Sequence, residues 1–219
     1  MKNDLADFKQ YLPIIDSLCN QGLKTRHNNE ISKLIGLNVT EKDMKLDTLK
    51  QMEITKHKDI LEEISDRASK EWNNEKIMKQ MKEQWEPLNF TCKEVHGKDS
   101  KILQGDAVEE IQTILDDHII KTQTMKGSPF AKFMLDDIIE WEEMLMTTQD
   151  NLDLWLKVQA VWMYLEPVFS SDDIINQMPV EGQKFKEVNQ AWHKLMVRID
   201  SDPRAFTVVA IKELGTILK

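Results

Sequence analysis

The chain has 219 residues, 41% hydrophobic and 31% charged, and its 38 acidic residues outnumber its 29 basic ones for a formal charge of −9. That length can bury a core in one large domain or two small ones, and the acidic balance argues against nucleic acid and anionic membrane, both of which attract basic patches. Seven Gly and six Pro leave little material for turns, so a soluble chain of few, long and mostly helical elements is expected.

Leu5 to Cys19 carries an apolar stripe at Leu5, Phe8, Leu12, Ile15 and Cys19 and reads as a helix, with Pro13 placed to kink or split it. A second helix is predicted from about Lys24 to Ile35, stopped by Gly36 at the position that favours a left-handed residue, and a third, shorter one over Asp43–Met52. Lys56–Glu86 is the longest uninterrupted helical pattern, with apolar positions at Leu61, Ile64, Ala68, Trp72, Met78, Met81, Trp85 and Leu88. Glu63/Arg67, Asp66/Lys70 and Glu75/Lys79 form i,i+4 pairs along its exposed face, and Pro87 ends it. Phe90–Val95 and Lys101–Leu103 then flank the polar loop His96–Ser100 and predict a β-hairpin. Such an element is marginal alone and must lean on a helix or pair with something outside the chain.

From Asp106 onward the pattern is helical throughout. Asp106 with Glu109 reads as a capping box, and the stripe Val108, Ile111, Leu115, His118, Thr122, Met125 runs to a stop at Gly127. Ser128-Pro129 reads as an N-cap with Pro at the first helical position, opening a helix that carries Phe130, Phe133, Met134, Ile138, Trp141 and Leu145. Asp150 is read as opening another, with Trp155, Val158, Trp162, Leu165 and Phe169 at three–four spacing. Ser170–Gln177 reads as a short capped turn of helix closed by Pro179. Phe185, Val188, Trp192, Leu195 and Ile199 mark a further helix, and Asp202-Pro203 starts the last one. The expected fold is mainly all-α, an elongated series of antiparallel helical bundles with one small β-hairpin. Its parts are an N-terminal helical subdomain (1–86), the hairpin (87–105) and a second helical bundle subdomain (106–219).

Little in the chain assembles into catalytic chemistry. It contains no G-x-x-x-x-G-K-[ST] phosphate loop and no G-x-S-x-G elbow, so it is not expected to be an enzyme, to hydrolyse ATP or to hold a cofactor. Asp116-Asp117-His118 tempts a metal reading, but consecutive helical side chains point about 100° apart and cannot converge on one ion. His118 lies on the apolar stripe and reads as a hydrogen-bonded structural histidine. Asp136, Asp137, Glu140, Glu142 and Glu143 read as a solvated helix face, and His27, His57, His96 and His193 have no ligand partner at helical spacing. Cys19 and Cys92 form no CxxC pair, which makes a reduced cytosolic compartment the default. The triplets Asn38-Val39-Thr40 and Asn89-Phe90-Thr91 read as chance because no secretory segment precedes them, and no apolar run approaches the roughly 20 residues a bilayer needs. Met1-Lys2-Asn3 leads straight into a helix and Thr216–Lys219 stops inside one, so both ends read as cuts in a longer protein. The six tryptophans sit on or beside stripes, with Trp141, Trp155, Trp162 and Trp192 expected as structural core.

The wording LDDHIIKTQTMKGSPF at 115–130, DLWLKVQAVWMYLEPVFSSDDIINQMPVEGQKF at 153–185 and VNQAW at 188–192 closely resembles the linker of dynein heavy chains. LDDHI, TQTM, GSPF and SSDDI with QMP resemble the axonemal branch. WEPLNF (85–90) is similar to the family's approach to its hairpin, and GLKTRHNNEIS (22–32) to the segment that opens the linker, with Asn28 standing where the family usually carries Trp. The resemblance covers nearly the whole chain and implies the N-terminal portion of that linker. It further implies a rod of helical bundles arching over an ATPase ring, which bends at an internal cleft when nucleotide remodels the ring and straightens in the power stroke. The implied function is that of a non-catalytic mechanical lever, with the ATPase ring of the same heavy chain as partner. It would work in the cytoplasm, at the axonemal cytoskeleton of a cilium, with no nucleic acid, no membrane and no direct microtubule contact from this segment. The alternative is a static helical scaffold that binds another protein through acidic helix faces. Packing is expected to be thinnest over Glu86–Gly105, which makes Phe90, Val95, Ile102 and Leu103 the candidate docking or flexing residues.

Overall fold

The computed structural model describes residues 8–36, 49–50, 53–95, 100–205 and 208. Outside the described residues lie the start of the first predicted helix, nearly all of the Asp43–Met52 helix, the Asn38 triplet, most of the hairpin loop and the body of the last helix. Among the described residues the chain forms helices α1 (Leu12–Leu18), α2 (Thr25–Ile35) and α3 (Lys58–Trp85), strands β1 (Cys92–Glu94) and β2 (Lys101–Leu103), then α4 (Gly105–Lys126), α5 (Leu135–Phe169), α6 (Asp172–Gln177) and α7 (Pro179–Ser201). Short 3₁₀ turns cover Ile54–His57 and Pro129–Met134. The fold is mainly all-α, as predicted, and divides into two compact units: Met1–Lys79 with Ser128–Phe133, and Gln80–Gly127 with Met134–Lys219. No described helix is long and apolar enough to cross a membrane.

The first unit is built on a core of Tyr11, Ile14, Ile31, Leu49, Ile54, Leu61 and Ile64, with Ile15, Leu18, Leu23 and Ile35 packed against it. Pro13 lies in the first turn of α1, where a missing N–H costs nothing, so it starts the helix instead of kinking it. α2 ends at Gly36, whose φ of 76° is the left-handed stop that the sequence predicted. Between α1 and α2 the chain is pinned to α3 by Asn20. Its Nδ2 donates to Ser65 O at 2.9 Å and to the hydroxyls of Ser65 and Ser69 at 2.7 Å, and its Oδ1 accepts the Gly22 N–H at 2.8 Å. That turn brings Gly22 so close to α3 that an added Cβ would stand 2.7 Å from Ala68 O.

Ion pairs join α2 to α3: Lys24 with Glu75 at 3.0 Å, Arg26 with Glu71, and Arg67 with Glu30. Of the predicted pairs along α3, Asp66/Lys70 forms at 2.6 Å, while Arg67 and Glu75 turn to α2. Trp72 is a correction: it is 39% exposed beneath Lys76 Nζ and lies outside the core. Phe130 of the GSPF stretch and Phe133 just after it belong to this unit, where Lys70 and Arg26 lie over their rings at 4.7 and 4.0 Å.

In the second unit α4 and α5 pack antiparallel, as the contacts Lys126–Glu142 and Asp116–Gln149 require. Every residue of the predicted α4 stripe is buried, with Ile119 added. Its N-terminus differs from the reading. Gln104 is the N-cap with no side-chain hydrogen bond, and Asp106 falls inside the first turn, where its charge still suits the helix dipole. The predicted break at Asp150 is also absent. α5 runs unbroken for 35 residues because Thr148 hides its hydroxyl on Met144 O at 2.8 Å and lets the buried stripe pass from Leu145 through Leu152 to Trp155. Pro167 is tolerated in the final turn. α7 starts with Pro179 in its first turn and packs antiparallel to the end of α5.

Replacing Gly22 with Ala forces either the turn or the α3 backbone to move, since the obstacle is a carbonyl rather than a flexible side chain. We expect a loss of about 1–3 kcal/mol in chemical denaturation. Amide exchange should locate the loss in α1–α3 and leave α4–α5 unchanged.

Candidate functional site: the hairpin and its anchors

β1 and β2 pair antiparallel with Cys92 opposite Leu103, Lys93 opposite Ile102 and Glu94 opposite Lys101. Val95 N–H donates to Ser100 O and Gln104 N–H to Thr91 O, both at 2.8 Å, so residues 91, 93 and 95 spend their backbone groups on the partner strand. The alternate residues face outward. On the β2 side those outward groups are met by side chains. Gln159 on α5 accepts the Leu103 N–H through Oε1 at 2.8 Å and donates through Nε2 to Leu103 O at 3.3 Å, while Trp192 Nε1 on α7 donates to Lys101 O at 3.0 Å. A single carboxamide thus stands in for the peptide group of a third strand. On the β1 side residues 88–90 pair with 203–205: Phe90 N–H donates to Pro203 O and Ala205 N–H to Leu88 O, both at 2.8 Å, with Asn89 and Arg204 opposed. Lys101 Nζ adds an ion pair to Asp200 at 2.6 Å.

The tryptophans complete the anchorage. Phe90 meets Trp155 with ring centroids 5.7 Å apart, and Trp162 stacks on Trp192 at 5.3 Å with an interplanar angle of 20°. Trp162 Nε1 donates to Asn189 Oδ1 at 2.9 Å, and Phe169 stacks on Phe185 at 5.1 Å. Trp141, Trp155, Trp162 and Trp192 are all buried, as is Trp85. Val188, predicted on the inner stripe, is half exposed, and Asn189 takes the inward place beside it.

The hairpin is therefore packed differently from the expectation of thin packing over 86–105. Phe90 and Leu103 are each 2% exposed and Ile102 is buried, whereas Val95 is half-buried beside the loop. The residues that sequence reasoning missed are Gln159, Asn189 and 203–205. A lone Gln on a helix carries no periodic signal, and a three-residue pairing partner more than a hundred positions downstream carries none either.

Two buried histidines use their rings as hydrogen-bonding parts. His118 Nδ1 accepts the Trp85 Nε1 hydrogen at 2.9 Å, which leaves Nε2–H to donate to Gln84 Oε1 at 2.8 Å. This neutral tautomer fits a lowered pKa, caused first by burial and only partly offset by Asp117. In the first unit His27 Nδ1 accepts the Lys24 N–H at 3.1 Å, and Nε2 lies 3.0 Å from Glu71 Oε2. Burial again dominates and lowers its pKa, against the raising influence of Glu71. The thiol of Cys92, half-buried on β1, is pushed up by burial and then by Asp200.

All 219 residues match the family model described as dynein heavy chain, N-terminal region 2. The chain is 44% identical to dynein axonemal heavy chain 3 of Homo sapiens over 205 residues, which is 93% of this chain and 5% of that protein. It is 39% identical to dynein axonemal heavy chain 12 of Homo sapiens over 193 residues, 88% of this chain and 6% of the relative. With dynein axonemal heavy chain 1 of Mus musculus it shares 34% over 197 residues, 90% of this chain and 5% of the relative. It thus spans about a twentieth of the length of these relatives.

Gln159→Leu keeps side-chain bulk but strands both outward groups of Leu103, so it is expected to cost about 1–3 kcal/mol. The Leu103 amide should exchange faster, with α2 amides unaffected. Because His27 and His118 are both held below the ordinary 6.5, the stability they contribute is present above that value and is lost as pH falls through their lowered folded values. The denaturation midpoint should therefore drop between about pH 7.5 and about pH 5. His118→Gln, which cannot titrate, should shrink that drop.

Proposed function

The chain belongs to the dynein heavy chain family, and from that premise we propose that it is the N-terminal portion of the linker of an axonemal heavy chain. In that role it is a non-catalytic lever that passes nucleotide-driven changes of an ATPase ring on as movement. The observation that carries the reading is the family match along the whole of residues 1–219, joined to axonemal relatives at 34–44% identity. The packing supports a mechanical role. A hairpin whose backbone is bonded to two different helices, with stacked aromatic pairs beside it, resists local deformation better than one held by apolar contact alone.

The partner is the ATPase ring of the same heavy chain, and the setting is the ciliary axoneme. The segment itself contacts no microtubule, nucleic acid or membrane. Within the hairpin, docking falls to the half-buried Val95, while flexing requires Phe90, Ile102 and Leu103 to leave the core together.

The test supplies the chain to a motor ring from which this segment has been removed, with binding followed by fluorescence anisotropy in different nucleotide states. Affinity should differ between states by roughly 5–150-fold, the usual size of a coupling between sites. Affinity indifferent to nucleotide would instead mark a static scaffold. The purified chain alone should give no ATP turnover that scales with its concentration, and turnover that does so would overturn the non-catalytic reading.

A further inference from the structure

Residues 203–205 are the place where the chain leaves α7, and they leave it by a short ladder rather than freely. Phe90 N–H bonds Pro203 O and Ala205 N–H bonds Leu88 O, one on either side of the Asn89/Arg204 pair. Val208 N–H donates to Arg204 O at 3.0 Å, so Arg204 is the N-cap of a following helical turn and Ala205 its first residue. In an antiparallel ladder, Ala205 lies beside Leu88, near where α3 ends, and Pro203 beside Phe90, where the chain runs on into β1.

This geometry gives any pull on the chain beyond Ala205 two routes into the second unit. One is covalent, back through Pro203 and Asp202 into α7. The other crosses the two backbone hydrogen bonds into 88–90, and from there reaches β1 and, through Phe90, the Trp155 ring on α5. Directed along the ladder and away from the hairpin, the pull loads both bonds at once, in shear. We propose that the 88–90/203–205 bridge is a strap that divides tension arriving from downstream between α7 and the hairpin. This proposal rests on the lever reading, since only a mechanical part receives such tension. It adds the residues through which force enters.

Two alterations test it in the complete 219-residue chain. Asn89 and Arg204 are both exposed and form the non-hydrogen-bonded pair of the ladder. The Cα atoms of such pairs approach to about 4.5 Å, within the span of a disulfide. Asn89→Cys with Arg204→Cys, in a background lacking Cys19 and Cys92, should therefore oxidise to a reversible lock. Ala205→Pro deletes one donor yet suits the first position of a helix.

The chain is held in optical tweezers between the exposed Asp150 position on α5 and the C-terminal end, with handles attached by non-thiol chemistry. The first extension step should vanish on oxidation and return with reductant. In Ala205→Pro its lifetime at constant force should shorten by about tenfold, the factor that goes with one lost backbone hydrogen bond. A first step indifferent to oxidation would show that the strap carries no tension and would overturn the proposal. So would failure of the disulfide to form in the folded protein, or an unchanged lifetime in a folded Ala205→Pro chain. No ring or nucleotide enters the measurement, so a negative result leaves the lever reading standing, and loss of nucleotide-dependent docking leaves this result untouched.

Discussion

A two-stranded ladder turns half of its N–H and C=O groups toward the partner strand and half away, and groups that are then buried need partners of their own. In the second unit this requirement sets the rotation of two helices. Gln159 must face Leu103, and the residues four before and three after it on α5 are Trp155 and Trp162, which then point the same way and meet Phe90 and Trp192. On α7 the inward position of Trp192 carries Phe185, Leu195 and Ile199 with it at helical spacing, and Asn189 arrives opposite the Trp162 indole. One carboxamide and one indole N–H thus go with the inward placement of Phe90, Trp155, Trp162, Phe185 and Trp192.

The apolar periodicity of the sequence carried the helices well. The α4 stripe, the Gly36 stop and the hairpin strands all stand where their residues implied, because each rests on a local rule of spacing or backbone preference. The failures share a cause. Thr147-Thr148-Gln149-Asp150 looks like a helix boundary until Thr148 is seen returning its hydroxyl to Met144 O, and Asp106 looks like a cap until Gln104 is found in that place. Trp72 and Val188 obey the period yet lie outside the core, since a stripe wider than the surface it faces must leave its edge in water. The hairpin's anchorage could not be read at all. It depends on polar side chains and a short downstream segment that tertiary structure alone brings together.

The two units solve the problem of polar groups at helix seams differently. In the first, charges do most of it beside the Asn20 bonds to Ser65 and Ser69: Glu71 serves both Arg26 and the His27 ring, and the rims of α2 and α3 are laced by pairs exposed enough that each is worth little alone. In the second, the buried seams rely on neutral groups, the Trp85–His118–Gln84 chain, the Trp162–Asn189 pair and the Gln159 amide, while the charged pairs Lys126–Glu142 and Lys101–Asp200 are more open to solvent. Salt screens the first kind of seam and hardly touches the second, so ionic strength should act unevenly along one polypeptide.

The Gln159 amide and the Trp192 indole also decide how the molecule behaves beside copies of itself. An open strand edge offers its backbone to any other chain with a strand to spare, and short apolar strands such as Lys101-Ile102-Leu103 are apt templates. Here that rim is already occupied by side chains that occupy its hydrogen-bonding groups but, unlike a third strand, present no further edge behind them. On the β2 side the sheet ends where it is, and that rim has little backbone left with which to recruit another strand.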